Sequence, residues 1–262
     1  DSTLGLLQLD IKKNSVPNMY DSKETGILKE SLHPRALEIL SDNLAPSNQP
    51  MKEFALFSEI DQAHLIMLNK SGIVSTTNLK ILLKEIQNLR DEKYKSLVGV
   101  SAPRGTYFLY EKELINRLGI EVAGLTHSGR SRNDLQETIF HINLREDYFQ
   151  VNLALWCLRS KILNLCKSDD VPLPIYSQYQ TAMPGTVSHY MLAIEQSLFR
   201  DQTALNAIYS DLNISPLGSG ACGGTSFPIQ PEITAKLLGF DGFYQNSLDA
   251  IASKDLYLRF LS

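Results

Sequence analysis

Two arginines flank a serine just before a long stretch of helical periodicity, in His127-Ser128-Gly129-Arg130-Ser131-Arg132-Asn133-Asp134. A helix starting there offers unpaired N–H groups and the positive end of its dipole. Arginine adds paired donors that suit a carboxylate. The segment can therefore hold an anionic substrate. The same residues also read as a capping loop, with Asn133 or Ser131 as N-cap and the arginines paired to Asp134 or Glu137. Local physics alone favours capping.

Two further segments are rich in polar or glycine residues. Tyr176-Ser177-Gln178-Tyr179-Gln180-Thr181-Ala182-Met183-Pro184 carries hydroxyls and amides able to meet polar substrate groups, or forms a turn with proline at a helix start. Pro216-Leu217-Gly218-Ser219-Gly220-Ala221-Cys222-Gly223-Gly224-Thr225-Ser226-Phe227-Pro228 must bend sharply or lie close to another chain or ligand. It is no phosphate-cradling loop, since no Gly-Lys-Ser/Thr follows. It is no dinucleotide fingerprint, since no strand precedes it. Cys222 has no histidine near it in sequence and reads as a small buried side chain rather than a nucleophile.

The elements that must position these loops are helical. Residues 133–167 contain neither glycine nor proline. Leu144, Tyr148, Val151, Leu155, Leu158, Ile162 and Leu165 repeat at alternating steps of four and three, the seam of a long helix packed lengthwise. A second long helix is predicted over about 184–211, with seam Val187, Met191, Ile194, Leu198, Asp201, Leu205 and Ile208. A loop punctuated by Pro172 and Pro174 joins the two. Shorter helices are predicted over 35–42, 51–69, 76–94 and 107–118, with Ser71-Gly72 as a stop and Ser75-Thr76 as a cap. The prediction is an all-α protein with little sheet. Residues 1–33 form an extension, 34–126 an N-terminal helical domain, and 127–262 a long-helix bundle domain that is incomplete.

Composition narrows the function. The chain has 262 residues, 43% apolar and 21% charged, with a net charge of −4. That is ordinary for a globular protein and too mild for a nucleic-acid or membrane-surface partner. No apolar run has the length of a membrane span. Cys157, Cys166 and Cys222 are odd in number and form no C-x-x-C pair, which suits a reducing compartment. The histidines and cysteines do not group at zinc-ligand spacing, so no metal is expected. The chain starts at Asp1, as a processed or trimmed product would.

The sequence resembles the argininosuccinate lyases of the fumarase/aspartase superfamily. HSGRSRND at 127–134, PLGSG at 216–220 and NSLDAIASKD at 246–255 carry the resemblance, which covers roughly residues 52–262. It implies a long-helix bundle, a cytoplasmic homotetramer with active sites shared among subunits, and no cofactor. It also implies a role in arginine biosynthesis, with fumarate eliminated from an N-substituted aspartate such as argininosuccinate. By position, Arg132 and Asn133, with Ser131 beside them, hold a carboxylate of the succinyl group. Ser177 stands where the family has a substrate-contacting Thr, and Gln180 matches a family Gln. Fixed donors at that carboxylate stabilise the carbanion left by proton removal.

Three departures accompany the match. Gln178 replaces the family's acid–base His, and an amide exchanges no proton near neutral pH. Tyr110 stands where the family has a pocket-building Asn. Lys254 replaces an Arg and is expected to pair with Asp249 or Asp255. The family loop that carries the proton-abstracting Ser lies beyond Ser262, so the chain is expected to be a fragment, or an enzyme whose other part is supplied separately, with uncovered apolar helix faces. The alternatives are a lyase with a different amine substrate or a non-catalytic relative serving as a scaffold.

Overall fold

A computed structural model describes residues 33–35, 49–100, 102, 105–167 and 171–262. The chain divides into two compact units. One, Asp1–Ala45 with Ser101–Arg104, lies almost wholly outside the described residues, as does the helix expected over 35–42. The other, Pro46–Val100 with Gly105–Ser262, carries every element below.

Helix α1 (Gln49–Lys70) packs on α2 (Thr76–Asp91) and α3 (Thr106–Leu118). Gly72, at φ +75°, makes the left-handed turn after α1, and the Ser75 hydroxyl accepts from the N–H of Asn78 to cap α2, as expected. Gly119 ends α3, and a single turn, α4 (Ile120–Ala123), runs into a 3-10 turn (Gly124–His127). Phe54, Phe57, Tyr107 and Tyr110 centre the core, joined by Leu82, Ile86, Leu135, Ile139 and Leu217. The start of the bundle and the glycine-rich loop therefore share one core with the N-terminal helices.

The long helices are α5 (Arg132–Leu165) and α6 (Val187–Leu212). Leu144 and Tyr148 bury against Ile208, Leu212 and Leu256 at one end. Further along, polar side chains link the two helices. Arg159 donates to Glu195 at 2.8 Å and also to Gln202. Gln202 donates to Asn152 at 2.8 Å, and Asn152 to Asn206 at 2.7 Å. The apolar seam read from α5 turns partly outward, with Val151 and Leu158 about half exposed. An ideal helix drifts relative to a strict seven-residue repeat, so a straight pair cannot bury all of it.

The proline-punctuated loop is instead a hairpin. Strand β1 (Pro172–Ser177) pairs antiparallel with β2 (Gln180–Thr186), and Pro174 lies opposite Pro184. A two-stranded ribbon leaves backbone groups unpaired on its outer edges, so it tolerates prolines that a central strand would not. Pro184 is thus a strand residue. Helix α6 begins at Val187, where the Thr186 hydroxyl accepts from the N–H of His189. A short parallel pair, β3 (Ile214–Ser215) with β4 (Gly242–Phe243), and helices α7 (Pro231–Leu237), α8 (Ser247–Ala252) and α9 (Asp255–Leu261) complete the described elements. No helix among the described residues is long and apolar enough to cross a membrane.

Candidate active site

A cavity of about 640 Å³ opens between the segment preceding α5 and the glycine-rich loop. Its walls include His127, Ser131 and Arg132 on one side and Gly220, Ala221 and Thr225 on the other. Ser131 caps α5. Its hydroxyl accepts from the N–H of Asn133 at 3.2 Å, and its own N–H donates to Asp134 Oδ1 at 3.0 Å. The other oxygen of Asp134 accepts from the N–H groups of Gly218 (3.1 Å) and Gly220 (3.0 Å). Asp134 is fully buried, and burial raises its pKa while these N–H groups and Arg130 oppose the rise. One carboxylate thus starts the helix and docks the loop across from it.

Gly220 has φ +66°, and a Cβ there would lie 2.7 Å from the carbonyl oxygen of Gly224, so this close turn requires glycine. The Asn133 amide reaches across to the Ala221 carbonyl at 3.3 Å. The Arg132 guanidinium lies 3.9 Å from the centroid of the Phe108 ring, which sets its approach to the cavity.

Beneath the loop, the two arginines have different fates. Arg130, whose side chain is fully buried, pairs with Asp61 at 2.7 Å and donates to the Tyr107 hydroxyl at 2.5 Å. The expected pairing to Asp134 or Glu137 does not form, because Asp134 is committed to backbone N–H groups. Glu137 accepts from Lys254 and from the Tyr257 hydroxyl, so Lys254 does not take Asp249 or Asp255 as expected. His64 Nε2 donates to the Ser128 carbonyl at 2.8 Å, and burial pushes its pKa down to about 3. His127 lies 3.6 Å from Glu111, and burial, with Arg130 and Arg132 nearby, lowers its pKa to about 4. Both imidazoles are neutral at neutral pH.

The structure places Ser131 and Arg132 on the cavity wall, with Asn133 next to them bonded to the wall residue Ala221, and places Ser177, Gln178 and Gln180 elsewhere. Those three occupy the exposed tip of the hairpin, and none lines the cavity. Gln178 (φ 51°) and Tyr179 (φ 64°) form the two-residue turn in left-handed geometry. Tyr110 is no pocket wall: it is fully buried in the core, 3.3 Å from Ser58 Oγ. Cys222 is exposed rather than buried, because the loop turns outward there. Asp61, His64 and Tyr107 were missed by sequence reasoning. The available signal for Asp61 and His64 was two polar residues, three apart, on the buried face of α1; Tyr107, on α3, gave none. Among the described residues, no group of three or more His, Cys, Asp or Glu side chains converges as a metal site would require.

The family model described as Lyase matches residues 21–262. The chain belongs to that family, in the argininosuccinate lyase-like part of the fumarase/aspartase superfamily. It is 38% identical over 202 residues to the argininosuccinate lyase of Bacillus mycoides (strain KBAB4), a match covering 76% of this chain and 44% of that enzyme. EDDS lyase in complex with formate superposes with a TM-score of 0.72 at 28% identity, covering 88% of this chain and 46% of that one. A fumarate lyase:delta crystallin from Brucella melitensis, at 17% identity and a TM-score of 0.65, shares the fold. The chain spans less than half the length of the curated relatives it matches.

Proposed function

We propose that the protein of this chain is a carbon–nitrogen lyase that eliminates fumarate from an N-substituted aspartate, with argininosuccinate the leading substrate. The carrying observation is the Ser131, Arg132 and Asn133 group at the start of α5, held against the glycine-rich loop by Asp134. Donors fixed in this way meet a carboxylate without reorganising. The relatives fit this reading. Argininosuccinate lyases lead the sequence matches, and an EDDS lyase variant with bound fumarate superposes on the chain.

In this reaction a base removes the proton from the carbon beside one carboxylate. The electron pair spreads into that carboxylate, then forms the carbon–carbon double bond as the C–N bond breaks, and the departing nitrogen gains a proton. Arg132 and Asn133 take the carboxylate on which charge develops. Ser177, Gln178 and Gln180 stand away from this cavity, on a projecting hairpin. In a homotetramer with shared sites, that hairpin serves the cavity of a neighbouring subunit. Gln178 there donates a hydrogen bond and transfers no proton.

The test is fumarate release, followed by ultraviolet absorbance, from argininosuccinate with the longest natural product of the gene. Release above background is expected. A folded tetramer that binds fumarate but releases none from argininosuccinate favours a different amine. One that binds no dicarboxylate favours the scaffold reading, which Gln178 motivates.

A further inference from the structure

One stripe along α1 grips one wall of the cavity, and the chain that follows the other wall, without lining it. Asp61, His64 and Met67 follow one another at steps of three on one face of that helix, and Ser71, four further on, is the first residue past its end. Asp61 pairs with Arg130, and His64 donates to the Ser128 carbonyl, so two adjacent positions hold the segment before α5. Met67 Sδ accepts from the N–H of Gln230, and Ser71 Oγ accepts from the Gln230 side chain at 2.9 Å, so the next two hold the N-cap of α7, just past the glycine-rich loop.

Asp61 is the costly member of this stripe. It and Arg130 have no exposed side-chain surface; they meet as an ion pair at 2.7 Å, while both Asp61 oxygens and Arg130 Nε and Nη1 have no aligned hydrogen-bond partner among the described residues. Apolar packing would stabilise such a position as well or better, so a buried pair is poorly explained by stability alone. The pair does fix direction. It anchors the side chain of the residue immediately before the Ser131 cap, between the left-handed turn at Gly129 and the first turn of α5.

We propose that Asp61 is the positioning residue of this site: through Arg130 it sets the turn from which Ser131 and Arg132 face the cavity. The proposal rests on reading that cavity as a dicarboxylate site. Positioning and simple charge balance make opposite predictions. If Asp61 only neutralised Arg130, its removal would leave an extra positive charge beside the cavity and tighten anion binding. If it positions the turn, its removal weakens binding despite that charge.

The experiment compares Asp61→Asn with Leu82→Ala, a core truncation away from the loop, in the longest natural product of the gene. Succinate affinity is measured by calorimetry and amide exchange over residues 128–134 by mass spectrometry. Asp61→Asn is expected to weaken succinate by about tenfold to a hundredfold, the scale of a small misplacement, and to speed exchange in that segment. Leu82→Ala, although less stable than wild type, is expected to change neither. Unchanged or tighter succinate binding in Asp61→Asn overturns the proposal. The double variant Asp61→Asn/Arg130→Gln removes both charges. It is expected to melt higher than Asp61→Asn yet still bind weakly, and wild-type affinity there also overturns the proposal. The double variant replaces Asp61→Asn if the single variant fails to fold. If wild-type protein binds no succinate, the dicarboxylate reading falls and amide exchange alone decides the role of Asp61.

Discussion

Asp134 Oδ2 accepts a 3.0 Å hydrogen bond from the main chain of Gly220, a residue 86 positions further along the chain. That contact closes the glycine-rich loop over the start of α5 and makes two distant motifs one site. Removing the carboxylate leaves buried backbone donors without a partner. Asp134→Ala is expected to lower stability by about 2–3 kcal/mol in urea unfolding, the scale for orphaned buried donors. Gly220→Ala attacks the same contact from the other side, through left-handed strain and a Cβ too close to Gly224. It is expected to cost about 1–3 kcal/mol. Wild-type stability in both would show that the loop is held elsewhere.

Arg132 is the cation at the cavity wall that is left for a ligand, since Arg130 is committed to Asp61. Arg132→Ala is expected to weaken fumarate or succinate binding by about 1.5–3 kcal/mol, the range for a hydrogen bond to a charged group. Titration calorimetry measures this directly. Unchanged affinity would remove Arg132 from the site.

The pH dependence follows from two suppressed imidazoles. His64 and His127 have folded pKa values of about 3 and about 4, below the ordinary histidine value of 6.5. Between that value and the folded ones, the unfolded chain binds protons that the folded protein refuses. The stability these neutral histidines contribute is therefore whole above about pH 6.5 and drains away as pH falls. In His64→Gln, which keeps an amide donor for Ser128, urea midpoints are expected to fall less steeply with acid than in wild type. Parallel curves would mean that His64 is not the group being titrated.

How far all this was legible in the sequence depends on the range of each signal. Ser75, Ser131 and Gly72 act on backbone groups within a few residues, so helix limits and caps could be read directly. The hairpin could not. Its turn, Gln178-Tyr179, lacks the Asn-Gly or Asp-Gly that marks a two-residue turn, and its prolines argue against strand. The grouping of Ser131, Arg132 and Asn133 was readable because they share one helix start. The partners of Arg130 and Lys254 were not, because Asp61 and Glu137 reach them through tertiary packing. Tyr110 shows the same limit: its position in the chain suggested a pocket, and core packing claimed it.

Gln178 offers a gain-of-function test. It lies at the tip of the hairpin, and the test rests on the resemblance-based reading that a histidine doing acid–base work is replaced there. Gln178→His in the longest natural product is expected to raise the rate of fumarate release from argininosuccinate. General acid–base groups contribute about 10²- to 10⁴-fold, which sets the upper limit. A steady-state assay across pH would also show a new ionisation in the rate profile. An unchanged rate and profile would mean that proton transfer to nitrogen is handled by another group.

The polar links between α5 and α6 carry a consequence for how this pair of helices can vary. Greasy surfaces slide past one another with little preference for height, but Arg159, Gln202 and Asn152 each meet their partners at one level only. Deleting one residue upstream in either helix would swing every later rung by about 100° around the axis, since a turn holds 3.6 residues. The two helices are keyed like a toothed rack. They should accept many exchanges of one side chain for another while rejecting almost any change in the number of residues between teeth.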